Sequence, residues 1–179
     1  MKKWYLGAPL ALVLASGVAS AAVIDTDPDN DVQAGADFLD LSSGSLIFEA
    51  NLIAGQMGDV DWFTFNAPAN SVISIVVIPL GVPLVQPDTI LGLFDAGGNM
   101  LAFNDDAGPG FLGSFIAYET NGADQWWFAV SGFGDAANFD GSHGQTGLYT
   151  VKVSIVPIPT PGALAIAGLA GLAATRRRR

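Results

Sequence analysis

Four aspartates, Asp88, Asp95, Asp105 and Asp106, have the chemistry and spacing to hold a hard cation. Calcium takes about six to eight oxygen ligands, so it needs clustered carboxylates and carbonyls. Asp105 and Asp106 are adjacent in the turn sequence NDDAGPG, and Asp88 and Asp95 bracket the apolar run TILGLF. The sequence Asp95-Ala96-Gly97-Gly98 is a hairpin signal, so TILGLF is expected to pair with residues 99–104. Asp95 then lies beside the turn, whereas Asp88 and Asp105 approach at the far end. Adjacent carboxylates repel unless a cation or hydrogen bonds compensate. The plainer reading is that Asp and Asn cap turns through bonds to backbone. Asp59 and Asp61 form a second acidic pair that could face either a cation or solvent at a strand start. The run from Asp25 to Asp31 opens like a calcium loop. Its sixth and twelfth places are Asn30 and Ala36, where a helix–loop–helix calcium site needs Gly and Glu, so an irregular contact or a solvated linker remains.

Other constellations carry less. Asp140, Ser142 and His143 share one glycine-rich loop, but near neighbours rarely converge as a triad, and no GxSxG occurs. An exposed loop histidine is expected. Trp126 and Trp127 are adjacent on a strand and so point to opposite faces. One belongs in a core, and the other is a candidate for stacking on a sugar ring.

Composition excludes whole classes. With no cysteine there is no disulfide, thiol nucleophile or Cys-based metal centre. A single histidine excludes a multi-histidine site within one chain. Lys2, Lys3, Arg176, Arg177, Arg178 and Arg179 are terminal, and Lys152 is the only other base. Without those six, the formal net charge goes from −10 to −16. Such a body repels nucleic acid and attracts divalent cations.

The elements that must position these residues are strands. Short apolar runs fall at residues 45–51, 61–66, 71–78, 89–94, 99–104, 113–119, 125–131 and 148–155, separated by turn residues. SVISIVVI is continuous enough for burial on both faces or at a sheet centre. In the last run Tyr149, Val151, Val153 and Ile155 alternate with Thr150, Lys152 and Ser154, giving one buried and one wet face. Eight such strands without an amphipathic helix indicate an all-β fold, an antiparallel β-sandwich or jelly roll. Its expected aromatic core is Trp62, Phe63, Phe65, Phe94, Phe103, Phe115, Trp126, Trp127, Phe128 and Tyr149.

The two ends read as addresses. Residues 1–21 have a basic start, a short apolar run and the small-residue site Ala19-Ser20-Ala21, the pattern of a secretory signal cut by signal peptidase. Residues 22–44 form an acidic lead-in and 45–156 the sandwich. Residues 157–179 hold a proline spacer, a short apolar helix to enter the membrane, and the four arginines, which stay cytoplasmic.

Two family resemblances follow. GDVDWFTFNAPANSVISIVV, DTILGLFDAGGNMLAFNDD, QWWFAVSGFGD and GLYTVKVSI, in that order, resemble the bacterial pre-peptidase C-terminal (PPC) domain. The resemblance implies a small β-sandwich, usually accessory to secreted enzymes, some members of which bind calcium or matrix polymers such as collagen. The tail resembles the PEP-CTERM sorting signal, with Pro159-Thr160-Pro161 where the family has Pro-Glu-Pro. That resemblance implies processing by a membrane exosortase and delivery to the surface or extracellular matrix of a Gram-negative bacterium. The expected function is a non-enzymatic structural or adhesive module, calcium-stabilised and bound to polysaccharide or protein polymer. The alternatives are a hydrolase using paired carboxylates and a passive surface coat.

Overall fold

A computed structural model describes residues 22–23, 29–53, 59–82, 86–135 and 137–159. The signal sequence, with Ala19 and Ala21, lies outside the described residues, as do Thr160, Pro161 and the terminal arginines; Pro159 is the last residue described. No helix among the described residues is long and apolar enough to cross a membrane.

Among the described residues ten strands form two five-stranded sheets: β1 (Ala22–Val23), β2 (Asp37–Phe38), β3 (Ser45–Leu52), β4 (Asp61–Ala67), β5 (Ser71–Pro79), β6 (Thr89–Phe94), β7 (Met100–Asn104), β8 (Phe115–Glu119), β9 (Asp124–Gly132) and β10 (Gly147–Pro157). One sheet runs β1-β3-β10-β5-β8 and the other β2-β4-β9-β6-β7. Pairing is antiparallel except for the two-residue strands, β1 beside β3 and β2 beside β4. The chain crosses between sheets at most connections, and the expected all-β sandwich is what it builds. All eight runs read from the sequence are strands.

The core lies between the sheets. Tyr149, Val151 and Val153 of β10 and Ile73, Ile75 and Val77 of β5 face Phe63, Phe65, Leu91, Leu93 and Phe128. Phe63 is central: its ring centroid lies 4.9 Å from that of Phe48 and 5.0 Å from that of Phe128. β5 does not sit at the sheet centre, nor is it buried on both faces. It lies between β10 and β8, buries one face, and leaves Val72, Ser74 and Val76 half-buried on the other.

The second sheet carries an additional layer. Val60, Trp62, Ile90, Phe94, Ala129 and Phe139 cluster on its outer side. Phe139 comes from the glycine-rich loop after β9, which folds back over β6. A Cβ on Gly92 would lie 2.7 Å from both the Phe139 and Phe94 rings, so only glycine admits this contact. Every residue of β6 is therefore buried. Three of the expected core aromatics are not buried: Phe103 and Phe115 are exposed, because they sit on the outer faces of the edge strands β7 and β8, and Trp127 is half-buried against the outer cluster. Phe48 and Phe139 take their places in the two clusters.

Candidate functional site

The β6–β7 hairpin builds the site. Its register pairs Leu91 with Asn104, so the residue before β6 comes opposite the residues after β7. Asp88 therefore meets Asp105 and Asp106, and one carboxylate oxygen from each lies within 4.8 Å of those of the other two. β9 closes the corner, because Gly132 pairs with Thr89 and the Phe133 N–H donates to the Asp88 carbonyl at 2.8 Å. The backbone here is pinned. The Asp88 N–H donates to Gln145 Oε1 at 3.1 Å, and Ser114 Oγ donates to the Asp105 carbonyl at 2.6 Å. Two carboxylate oxygens, in contrast, Oδ1 of Asp88 and Oδ1 of Asp105, are buried without a hydrogen-bond partner among the described residues.

Asp95 stands apart from these three. It sits at the turn end of the hairpin, where its carboxylate accepts from the N–H groups of Gly97 and Asn99, both at 2.9 Å, and from the Asn99 side chain. Those bonds, the Asn99 side chain first, hold its pKa below the ordinary value. It is a turn cap, as Asp often is.

Burial pushes the Asp88 pKa up, reinforced by the neighbouring charges of Asp105 and Asp106. Asp105 is raised by burial and then by Asp106. A raised folded-state pKa favours the protonated form. The stability these groups contribute is thus fully present below about pH 4 and is lost as pH rises through their folded values. Replacing Asp105 by Asn in chelator should therefore raise the urea midpoint at pH 7, and the advantage should vanish at pH 3.5. An unchanged difference across that range would contradict the charge crowding described here.

A second polar cluster lies inside the sandwich end. Asp59 and Asp61 do not face solvent; they are 1% and 0% exposed. The Tyr149 hydroxyl donates to Asp61, joining β10 of one sheet to β4 of the other. The Ile53 N–H donates to Asp59. His143 is not an exposed loop residue. Its ring is buried, with Nε2 2.9 Å from the Asp59 carbonyl and 3.8 Å from its carboxylate. Its Nδ1 accepts from the Gln145 N–H at 3.2 Å, so Nε2 carries the proton. Neither Ser142 nor Asp140 bonds the ring; the Asp140 carboxylate caps the Ser142 N–H at 3.0 Å. Asn30 is fully buried beside β4, its carbonyl accepting from the Trp62 N–H at 3.0 Å and both side-chain amide atoms without a partner among the described residues. Asp25 and Asp27 lie outside the described residues.

The tryptophans divide as adjacency dictates. Trp126 faces the core and packs against Tyr118 at 5.5 Å. Trp127 is half-buried on the outer face and lines a groove of about 470 Å³ with Val32, Gln33, Ala34 and Ala96. Gln33 is held there by donating to the Asp95 carbonyl at 3.1 Å. The groove thus lies at the turn end of the hairpin and the acidic corner at its other end. The sequence offered the tryptophan but not the groove, whose second wall comes from a short 3-10 helix, Gln33–Gly35, within the acidic lead-in.

No family model matches the sequence, and no curated protein is similar to it. Solved structures do show similarity. The pre-peptidase C-terminal domain of a Bacillus anthracis collagenase is 17% identical, with a TM-score of 0.43 over 67% of this chain and 93% of that one. The Aeromonas hydrophila periplasmic inhibitor of g-type lysozyme, PliG, is 14% identical, with a TM-score of 0.48 over 67% of this chain and 95% of that one.

Proposed function

We propose that this chain is an exported, non-catalytic β-sandwich that binds an extracellular polymer through the Trp127 groove and is stabilised by calcium at the Asp88–Asp105–Asp106 corner. The groove carries the reading. It offers a half-buried tryptophan, an anchored amide and apolar walls in an open channel, which suits a sugar ring. Export rests on the signal-like start and the sorting-like tail, which would route the chain through signal peptidase and an exosortase-type enzyme to the cell surface or matrix. Titrating soluble extracellular polysaccharide should shift the tryptophan fluorescence saturably, and Trp127→Ala should abolish the shift. An undiminished response in that variant would overturn the assignment.

The corner fits calcium by its donors. Three carboxylates supply hard oxygens, and two of their oxygens, buried and without a partner among the described residues, carry crowding that a cation would relieve. Bound calcium would supply charge neutralisation there, with Asp88, Asp105 and Asp106 as its holders. Calcium should raise the melting temperature relative to chelator at equal ionic strength, and Asp105→Asn should lose that response.

The raised pKa values of Asp88 and Asp105 favour a second reading, a hydrolase with paired carboxylates. The adjoining cavity, about 130 Å³, weighs against it, since small-molecule sites typically span about 300–1,000 Å³. Polymer hydrolysis lost in Asp88→Asn would establish that alternative.

A further inference from the structure

The acidic corner opens onto a small apolar slot. Ile90, Phe103, Phe133 and Gly134 line it together with Asp105. Ile90 is buried, whereas Phe103 and Phe133 are 42% and 54% exposed. Both phenylalanines are held by backbone bonds, Phe103 in the β7 ladder opposite Gly92 and Phe133 through its N–H on Asp88. At about 130 Å³ the slot approaches the size of a cavity of about 150 Å³ that holds one benzene. It admits one side chain.

Its chemistry is two-part: apolar walls, then carboxylates at the mouth. A long basic side chain has the matching layout, an aliphatic stem and a cationic head. Arginine fits better than lysine. Its planar guanidinium is weakly hydrated, binds carboxylates in bidentate fashion and stacks on aromatic rings. The charge of the chain favours the same partner. Between the terminal bases Lys152 is the only base, and the body carries a formal −16, which draws a basic surface in and repels an acidic one.

We propose that this slot docks an arginine side chain of a basic protein partner, its stem between Phe103 and Phe133 and its guanidinium on Asp105 with Asp88 and Asp106. Calcium then competes for the same carboxylates and releases the partner; this second part rests on the calcium reading above.

The test uses the full chain and capped pentapeptides, Gly-Gly-Arg-Gly-Gly and its norleucine counterpart, followed by calorimetry and amide chemical shifts in chelator. The arginine peptide should bind saturably and at least tenfold more tightly than the norleucine peptide. Its shifts should centre on Ile90, Phe103, Phe133 and Asp105, and Phe133→Ser should weaken it about tenfold. Equal affinity for the two peptides, or shifts centred elsewhere on the parent protein, overturns the proposal without needing any variant to fold. Replacing Arg176–Arg179 by serine should leave peptide binding unchanged. Binding that appears only after that replacement would mean that the chain's own tail takes the slot, against the partner assignment. Calcium that raises the melting temperature while arginine fails to bind sinks the slot and leaves the calcium site. Arginine binding with no thermal effect of calcium does the reverse.

Discussion

Phe63→Ala should destabilise the protein by about 3–5 kcal/mol, the range for removing a fully buried aromatic ring. Phe63 has no exposed surface, and its ring bridges Phe48 of one sheet and Phe128 of its own. β3, β4 and β9 converge on it, so the void cannot close by moving one side chain. Natural domains are stable by about 5–15 kcal/mol, so the variant should retain a small part of its stability or none. The urea midpoint read by circular dichroism measures this. A loss under about 1 kcal/mol would mean that the sheets do not meet around this ring.

Tyr149→Phe is the second large effect. It removes one hydroxyl and no packing volume. The hydroxyl donates to Asp61, which is wholly buried. Leaving a buried polar group without its hydrogen-bond partner costs about 1–3 kcal/mol, more where the group is charged. The bond also ties the two sheets together, since β10 and β4 belong to different ones. We expect about 2–3 kcal/mol by urea unfolding at pH 7. A neutral substitution would show that Asp61 is satisfied without this donor.

Strand positions were legible because the pattern that specifies them is local. In β10 the alternation of Tyr149, Val151 and Val153 with polar residues is itself the record of one buried face. The hairpin turn was legible for the same reason: Asp95 and the two glycines after it have few other uses. The meeting of Asp88 with Asp105 and Asp106 followed from that hairpin alone, with no tertiary information.

What escaped depends on distant segments. Asp59 and Asp61 look like solvated strand-start residues until Tyr149 and His143, more than eighty positions away, close over them. In DWFTFNA the alternation is blurred, because Phe139 from the loop after β9 packs on Trp62 and β9 itself covers Thr64 on the outer face. Nothing in the loop sequence DAANFDGSHG announces that Phe139 will settle on Gly92. Phe103 and Phe115 were read as core from residue type, yet an edge strand's outer face has no neighbour to cover it. One of them, Phe103, lines the slot beside the acidic corner, and its position on the edge strand β7, not composition, left it open.

Polymer binding at the Trp127 groove is the function proposed for this chain. Retention of the protein on purified extracellular polysaccharide, measured across protein concentration with calcium and again with chelator, tests it most directly. Retention should be saturable in both buffers and lost in Trp127→Ala, because the groove and the acidic corner occupy opposite ends of the β6–β7 hairpin. No retention in either buffer, or retention that survives Trp127→Ala, would contradict it.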